Sequence, residues 1–250
     1  MRVGVVQHDI CWEDRDATLA LVAPRVAGLA RAGAELIVLP EMFAVGFSMD
    51  TAKVAEAPGG PTETWLRERA AEHGAWVGGS VPVRVDAGGV RNRFLLAGAD
   101  GRLLTYDKVK PFTHGGEAEH YEAGAGTTSW DLDGVRVTPF VCYDLRFAPL
   151  WWDRALTTDL YVCVASWPAR RAAHWRSLLV ARAVENQAPV LGCNRVGSGG
   201  GLDHAGGSIL VDALGHVVED AGTRDTAFVA DVDPAQTAQV RTSLPFLEDR

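Results

Sequence analysis

The sequence predicts an α/β fold in which two sheets are layered together with helices outside. Short apolar runs alternate with helix-length stretches in both halves of the chain. Of the 250 residues, 47 % are hydrophobic and 22 % charged, enough to fill a core between two sheets. No linker-like stretch divides the chain, so residues 1–250 read as a single domain.

Residues 2–7 read as a strand, followed by a helix over about 16–31 that Asp14 or Asp16 can cap. Pro24 inside that stretch predicts a kink or a later start, and Gly33 a stop. A strand over 36–39 then ends sharply at Pro40-Glu41. Pro58-Gly59-Gly60-Pro61 is a turn, succeeded by a helix over 62–73 and a strand over 76–81. Residues 90–97 and 103–107 read as paired strands broken at Asp100-Gly101. The stretch 108–128 is too polar for core and reads as a long surface or site loop. The alternation resumes with strands over 135–141, 160–165 and 190–193, separated by helices over 147–155 and 172–187. Strands over 207–211, 217–219 and 228–231 precede a polar tail.

Charge and composition exclude several functions. The chain has 24 basic and 32 acidic residues, a net charge of −8, and its arginines are dispersed, so nucleic acid is not an expected partner. No stretch reaches the ~20 apolar residues of a membrane span, and the start does not read as a signal peptide. A cytoplasmic protein with no membrane partner is therefore expected. Cys11, Cys142, Cys163 and Cys193 form no C-x-x-C pair, so neither a disulfide framework nor a metal site is expected.

Four strand ends carry reactive side chains. Glu41 follows an apolar strand, where low dielectric suits a general base, although a glutamate there can also simply cap a turn. Lys108 closes another strand and can hold an oxyanion or be merely solvated. Cys142 ends the strand over 135–141 just before a helix, where backbone amides favour a thiolate; most lone cysteines are small buried hydrophobes, the reading given to Cys163 and Cys193. Ser166-Trp167-Pro168-Ala169-Arg170-Arg171 suits a pocket wall with a carboxylate clamp, or a surface loop with a packed indole. His114, His120 and His174 are not placed to partner Cys142, so a carboxylate must serve as base. Glutamate, lysine and cysteine at three strand ends imply metal-free nucleophilic attack on a carbonyl or nitrile carbon.

These residues resemble the nitrilase superfamily of carbon-nitrogen hydrolases, with Glu41 in Leu-Pro-Glu-Met-Phe, Lys108 in Tyr-Asp-Lys and Cys142 in Val-Cys-Tyr-Asp-Leu-Arg-Phe. Further segments are similar to its omega-amidase branch: Glu41 to Phe47, Asn92-Arg93-Phe94, Trp167-Pro168-Ala169, His174-Trp175, Ala181 to Gln187 and Gly192 to Gly197. The resemblance implies a four-layer αββα sandwich built by dimerisation, and a homodimer or higher homo-oligomer formed through helices near 147–154 and 172–187. It implies an enzyme without cofactor or metal whose partner is a small-molecule amide such as 2-oxoglutaramate or 2-oxosuccinamate. It assigns Cys142 as nucleophile, Glu41 as base, and Lys108 with the Tyr143 backbone N–H as oxyanion donors. A second site glutamate follows the lysine; spacing to Tyr121 and Gly124 favours Glu117 over Glu119. Arg171, or else Arg170, is expected to meet the substrate carboxylate, with Trp167 and Phe43 walling the acyl chain and Arg146 more readily a structural ion pair. Val109-Lys110-Pro111 stands where the family has x-His-Leu, adding a positive charge beside the site. The competing readings are an N-carbamoyl amino-acid amidohydrolase, an aliphatic amidase or nitrilase of the same superfamily, a metal phosphoesterase using Glu41, Asp144 and histidines as ligands, and a catalytically silent interaction protein.

Overall fold

The computed structural model describes residues 1–85 and 88–249. Strands β1 (Arg2–Gln7), β2 (Leu36–Val38), β3 (Trp76–Arg84), β4 (Val90–Ala97) and β5 (Leu103–Asp107) come from the first half of the chain. They are followed by β6 (Trp130–Leu132), β7 (Val135–Val141), β8 (Leu160–Ala165) and β9 (Val190–Asn194). A separate hairpin of β10 (Val196–Gly199) and β11 (Leu202–Ala205) precedes β12 (Ile209–Val211), β13 (Val217–Asp220) and β14 (Thr226–Asp231). One sheet has the order β14-β1-β2-β3-β4-β5 and the other β13-β12-β9-β8-β7-β6. Each has a parallel centre, β1-β2-β3 or β7-β8-β9, with antiparallel strands at its margins.

The longer helices are α1 (Arg15–Arg31), α3 (Pro61–His73), α6 (Ala172–Asn186) and α7 (Pro234–Ser243); α2 (Thr51–Val54), α4 (Glu117–His120) and α5 (Ala148–Trp152) are single turns. Helices α1 and α3 cover one sheet, sealing Val22, Val26, Leu29 and Leu66 over Ile37 and Val77. Helix α6 covers the other with Leu179 and Ala183, and α5 packs beside it. Between the sheets, the Phe94 and Trp130 rings lie 5.8 Å apart, and the Cys193 thiol points at the carbonyls of Val6 and Val38, 3.7 and 3.6 Å away. The four layers therefore close within one chain, which corrects the expectation that dimerisation builds them. One chain brings two apolar-faced sheets together, so no second copy is required to bury them.

Most elements lie where the sequence places them, and the exceptions have local causes. Asp14 caps α1 by accepting from Ala17 N at 3.1 Å. Pro24 sits inside that helix without ending it: Pro24 and Ala20 are both exposed, so the carbonyl that loses its partner faces water. Residues 196–205, which carried no strand expectation, pair as β10 and β11 because Arg195 reaches Asp9 Oδ1 at 2.8 Å and fixes the hairpin to the start of the chain. The polar tail contains α7, capped by Asp233 with Pro234 in its first turn. It docks largely through polar contacts, Arg241 donating to the carbonyls of Ala155, Thr158 and Gln187 at 2.9, 2.8 and 3.1 Å.

His8 follows β1 and is fully buried, its Nε2 3.2 Å from the Phe43 carbonyl. Burial lowers its pKa from 6.5 to about 4, against the pull of its backbone hydrogen bonds. A depressed histidine pKa stabilises the fold above the unfolded value, and that contribution is lost as pH falls from about 6.5 towards 4. The unfolding free energy is expected to drop by up to roughly 3 kcal/mol over this window, and His8→Gln to flatten the drop; urea melts at several pH values measure both.

Candidate active site

The site lies at the carboxyl ends of β2, β5, β7 and β8, where parallel strands of the two facing sheets finish together. Beyond β2 the chain turns through Met42, whose φ is 45° and whose N–H donates to Ser80 Oγ at 2.9 Å. This turn leaves Glu41 wholly buried and aimed inward. Beyond β7 the chain enters a tight turn at Cys142, itself at φ 47°, and the 3₁₀ segment Cys142–Arg146 begins. The amide of Tyr143 belongs to the first turn of this segment, where N–H groups have no preceding carbonyl of the same turn to serve.

Four of the expected residues converge. Lys108 Nζ donates to Glu41 Oε1 at 2.8 Å and to Glu117 Oε2 at 2.7 Å, with all three side chains essentially sealed from solvent. Glu117 stands in α4 and also accepts from Phe112 N at 2.5 Å, whereas Glu119 is exposed. Cys142 and Glu41 face the same cavity. Burial alone would pull the Lys108 ammonium pKa down, but Glu117 and Glu41 outweigh it and hold the value well above the ordinary one. Burial, and then the charge of Glu41, push the Cys142 thiol pKa well up, with Lys108 opposing. Cys142 therefore rests as a thiol, whose proton must leave before its sulfur can act as a nucleophile.

A cavity of about 50 Å³ opens onto Cys142 and Glu41. At ~10–15 Å³ for each water, it admits a small acyl group and no polymer. Tyr143, Trp167 and Arg171 line it as expected from the sequence, together with Phe47, Phe112, Arg146 and Ser166. Phe43 does not: it is wholly buried beneath the site against Trp65, ring centroids 6.0 Å apart, because the turn at Met42 directs it into the core and brings Phe47 to the cavity. Arg146 faces the cavity as well, its guanidinium 4.8 Å over the Trp167 ring and hydrogen-bonded to His174 Nδ1 at 3.2 Å, so it is not the structural ion pair expected. Arg170 is exposed and does not line the cavity. Lys110 turns away to the Phe147 ring, while its backbone N–H donates to Asp144.

Several contributors were given no individual role by the sequence, although Ser166 stood in the expected pocket wall and Asn92 in a segment similar to the omega-amidase branch. Trp12 and the β10–β11 hairpin supply the far wall, with Gly199, Gly200, Leu202 and His204 lining it. The indole lies so close that a Cβ on Gly199 would come within 2.7 Å of it. Ser166 N donates to Glu41 Oε2 at 2.8 Å. Asp144 accepts from Tyr106 OH, Val141 N and Lys110 N, tying the segment after the lysine to the nucleophile turn. Asn92 donates to both buried glutamates. One signal was available for it: the burial alternation of β4 puts Asn92 on the same inward side as Val90 and Phe94, an unusual place for an amide.

Residues 2–242 match the family model for carbon-nitrogen hydrolase. The chain is 40 % identical to omega-amidase YafV of Yersinia enterocolitica over 98 % of this chain and 90 % of that protein. It is 35 % identical to 2-oxoglutaramate amidase of Bacillus subtilis over 86 % of this chain and 85 % of the relative. A solved CN-hydrolase superfamily protein of Xanthomonas campestris, with an arsenic adduct in its active site, superposes with a TM-score of 0.96 at 36 % identity, covering 100 % of this chain and 97 % of that one.

Proposed function

The chain belongs to the carbon-nitrogen hydrolase family, and from that premise we propose that it is an omega-amidase, releasing ammonia from the terminal amide of 2-oxoglutaramate or 2-oxosuccinamate. Cys142 attacks the amide carbon while Glu41 takes its proton. The tetrahedral oxyanion is held by Lys108 Nζ and the Tyr143 N–H. Glu41 returns the proton to the leaving nitrogen, a thioester remains on Cys142, and water activated by Glu41 hydrolyses it. Glu117 keeps Lys108 oriented through its 2.7 Å bond. We read residues 1–250 as one hydrolase domain, since both sheets contribute to one site. We also read the protein as a cytoplasmic homodimer or higher homo-oligomer; exposed Leu156 and Val184, beside α5 and on α6, support the association, and the cytoplasmic placement rests on the sequence.

One observation carries the substrate class. Arg146 and Arg171 both face the cavity, and among the described residues neither is ion-paired to a carboxylate. Burial, followed by the neighbouring Arg170, lowers the Arg171 pKa, so an incoming carboxylate relieves a cation that the fold leaves uncompensated. Ammonia release across 2-oxo acid monoamides, N-carbamoyl amino acids and amides lacking a carboxylate tests the reading. The first group is expected to turn over fastest, and Arg171→Ala to raise its KM on the order of 10- to 100-fold with little change in kcat. Preference for a carbamoyl amino acid would overturn the substrate class, and an unchanged KM would remove Arg171 from it.

A further inference from the structure

Asn92 stands at the centre of the charged cluster and is 1 % exposed. Its Nδ2 donates to Glu41 Oε1 at 2.8 Å and to Glu117 Oε1 at 3.0 Å. Lys108 bridges the same two carboxylates, so the amide and the ammonium close a ring of four buried polar groups. The backbone joins them again, since Lys108 N donates to Asn92 O at 3.0 Å.

The acceptor sites of Glu41 divide unequally around this ring. A carboxylate oxygen offers about two lone-pair sites. On Glu41 Oε1 both are taken, by Asn92 and Lys108; on Oε2 one is taken, by Ser166 N. Cys142, which faces the same cavity as Glu41, then has the open site on Oε2 as the destination for its proton. A second observation concerns the amide itself. Its Oδ1 is buried with no partner among the described residues, although an unsatisfied buried acceptor is costly. Turning the amide over would give Oδ1 no better neighbour and would set an oxygen against two carboxylates. Its orientation is thus fixed by the two glutamates that accept from Nδ2.

We propose that Asn92 is a positioning residue for the general base, occupying the last site on Glu41 Oε1 so that the Cys142 proton is delivered to Oε2. In that step the S–H bond breaks, an O–H bond forms on Oε2, sulfur uses the freed electron pair to bond the amide carbon, and the C=O π pair moves onto oxygen as the oxyanion. The inference rests on the proposed role of Glu41 as base.

Asn92→Ala and Asn92→Leu test it, with kcat, KM and the pH profile measured on 2-oxoglutaramate and the pH dependence of Cys142 alkylation by iodoacetamide measured alongside. Loss of a donor to the charged carboxylate disfavours the basic form. Both variants are therefore expected to lose about 10- to 100-fold in kcat with KM nearly unchanged, and the acidic limbs of turnover and alkylation to move to higher pH. A purely structural role would lower the melting temperature and leave both limbs in place. A folded variant with an unmoved limb overturns the proposal, and so does failure of both variants to fold, which would make Asn92 a structural residue. Glu41→Gln separates the two levels: retained turnover removes Glu41 as base, whereas a dead Glu41→Gln beside an unshifted Asn92→Ala removes only the role of Asn92.

Discussion

Cys142→Ala is expected to lower the turnover of every amide on the order of 10⁴-fold or more, with the fold intact. No other thiol can replace it. Cys163 and Cys193 are wholly buried with their pKa values pushed well up by burial, and Cys11 does not line the cavity. The stability side of the substitution is equally specific. Cys142 holds φ at 47°, a left-handed conformation that costs a non-glycine residue roughly 1 kcal/mol or more. Glycine accepts that angle freely, so Cys142→Gly should be as inactive as the alanine variant yet melt at the same temperature or a few degrees higher. Ammonia release and thermal unfolding of both variants check the pair of effects. Full activity in either variant would remove Cys142 as nucleophile, and a large fall in melting temperature would show that the thiol, and not the turn, matters to the fold.

The turn at Cys142 also shows which parts of the site a sequence can reveal. Glu41, Lys108 and Cys142 are legible because each follows an apolar run, where the strand end is marked by the change in polarity. Glu117 is less so: it and Glu119 sit in the same polar stretch, separated in the sequence only by their spacing to Tyr121 and Gly124, and the contacts that distinguish them, from Lys108 Nζ, Phe112 N and Asn92 Nδ2, are brought over by the fold. Phe43 and Phe47 lie four apart in a loop without periodicity, so nothing before the turn at Met42 says which ring enters the core and which the cavity. The β10–β11 hairpin is hidden for a different reason. Its glycines read as loop, and its pairing depends on Arg195 meeting Asp9, a contact spanning 186 positions. The sheets themselves are legible because burial imposes local apolar runs on their strands, whereas polar clusters are assembled from residues with no such local mark.

Lys108 joins catalysis to stability most directly, and Lys108→Met is expected to damage both. The substitution keeps a long flexible side chain but deletes the ammonium, leaving Glu41 and Glu117 buried with only hydrogen bonds to hold their charge. Breaking a buried ion pair by removing one partner costs about 3–5 kcal/mol, much of it from the charge left behind. Loss of an oxyanion donor lowers turnover on the order of 10²–10³-fold, and a mispositioned base should lower it further. Adding Glu117→Gln to Lys108→Met removes one of the stranded charges. Urea melts should then recover a large part of the lost stability, while ammonia release stays at the level of the single variant, since no cation has been restored to the oxyanion. Lowering the pH should narrow the deficit of Lys108→Met, because protonating either glutamate relieves the repulsion, and should do so less in the double variant. Equal stability of wild type and Lys108→Met would mean that the ion pairs are not what holds these carboxylates in the core. Recovery of activity in the double variant would mean that Lys108 serves only to neutralise Glu117 and does not touch the reacting oxygen.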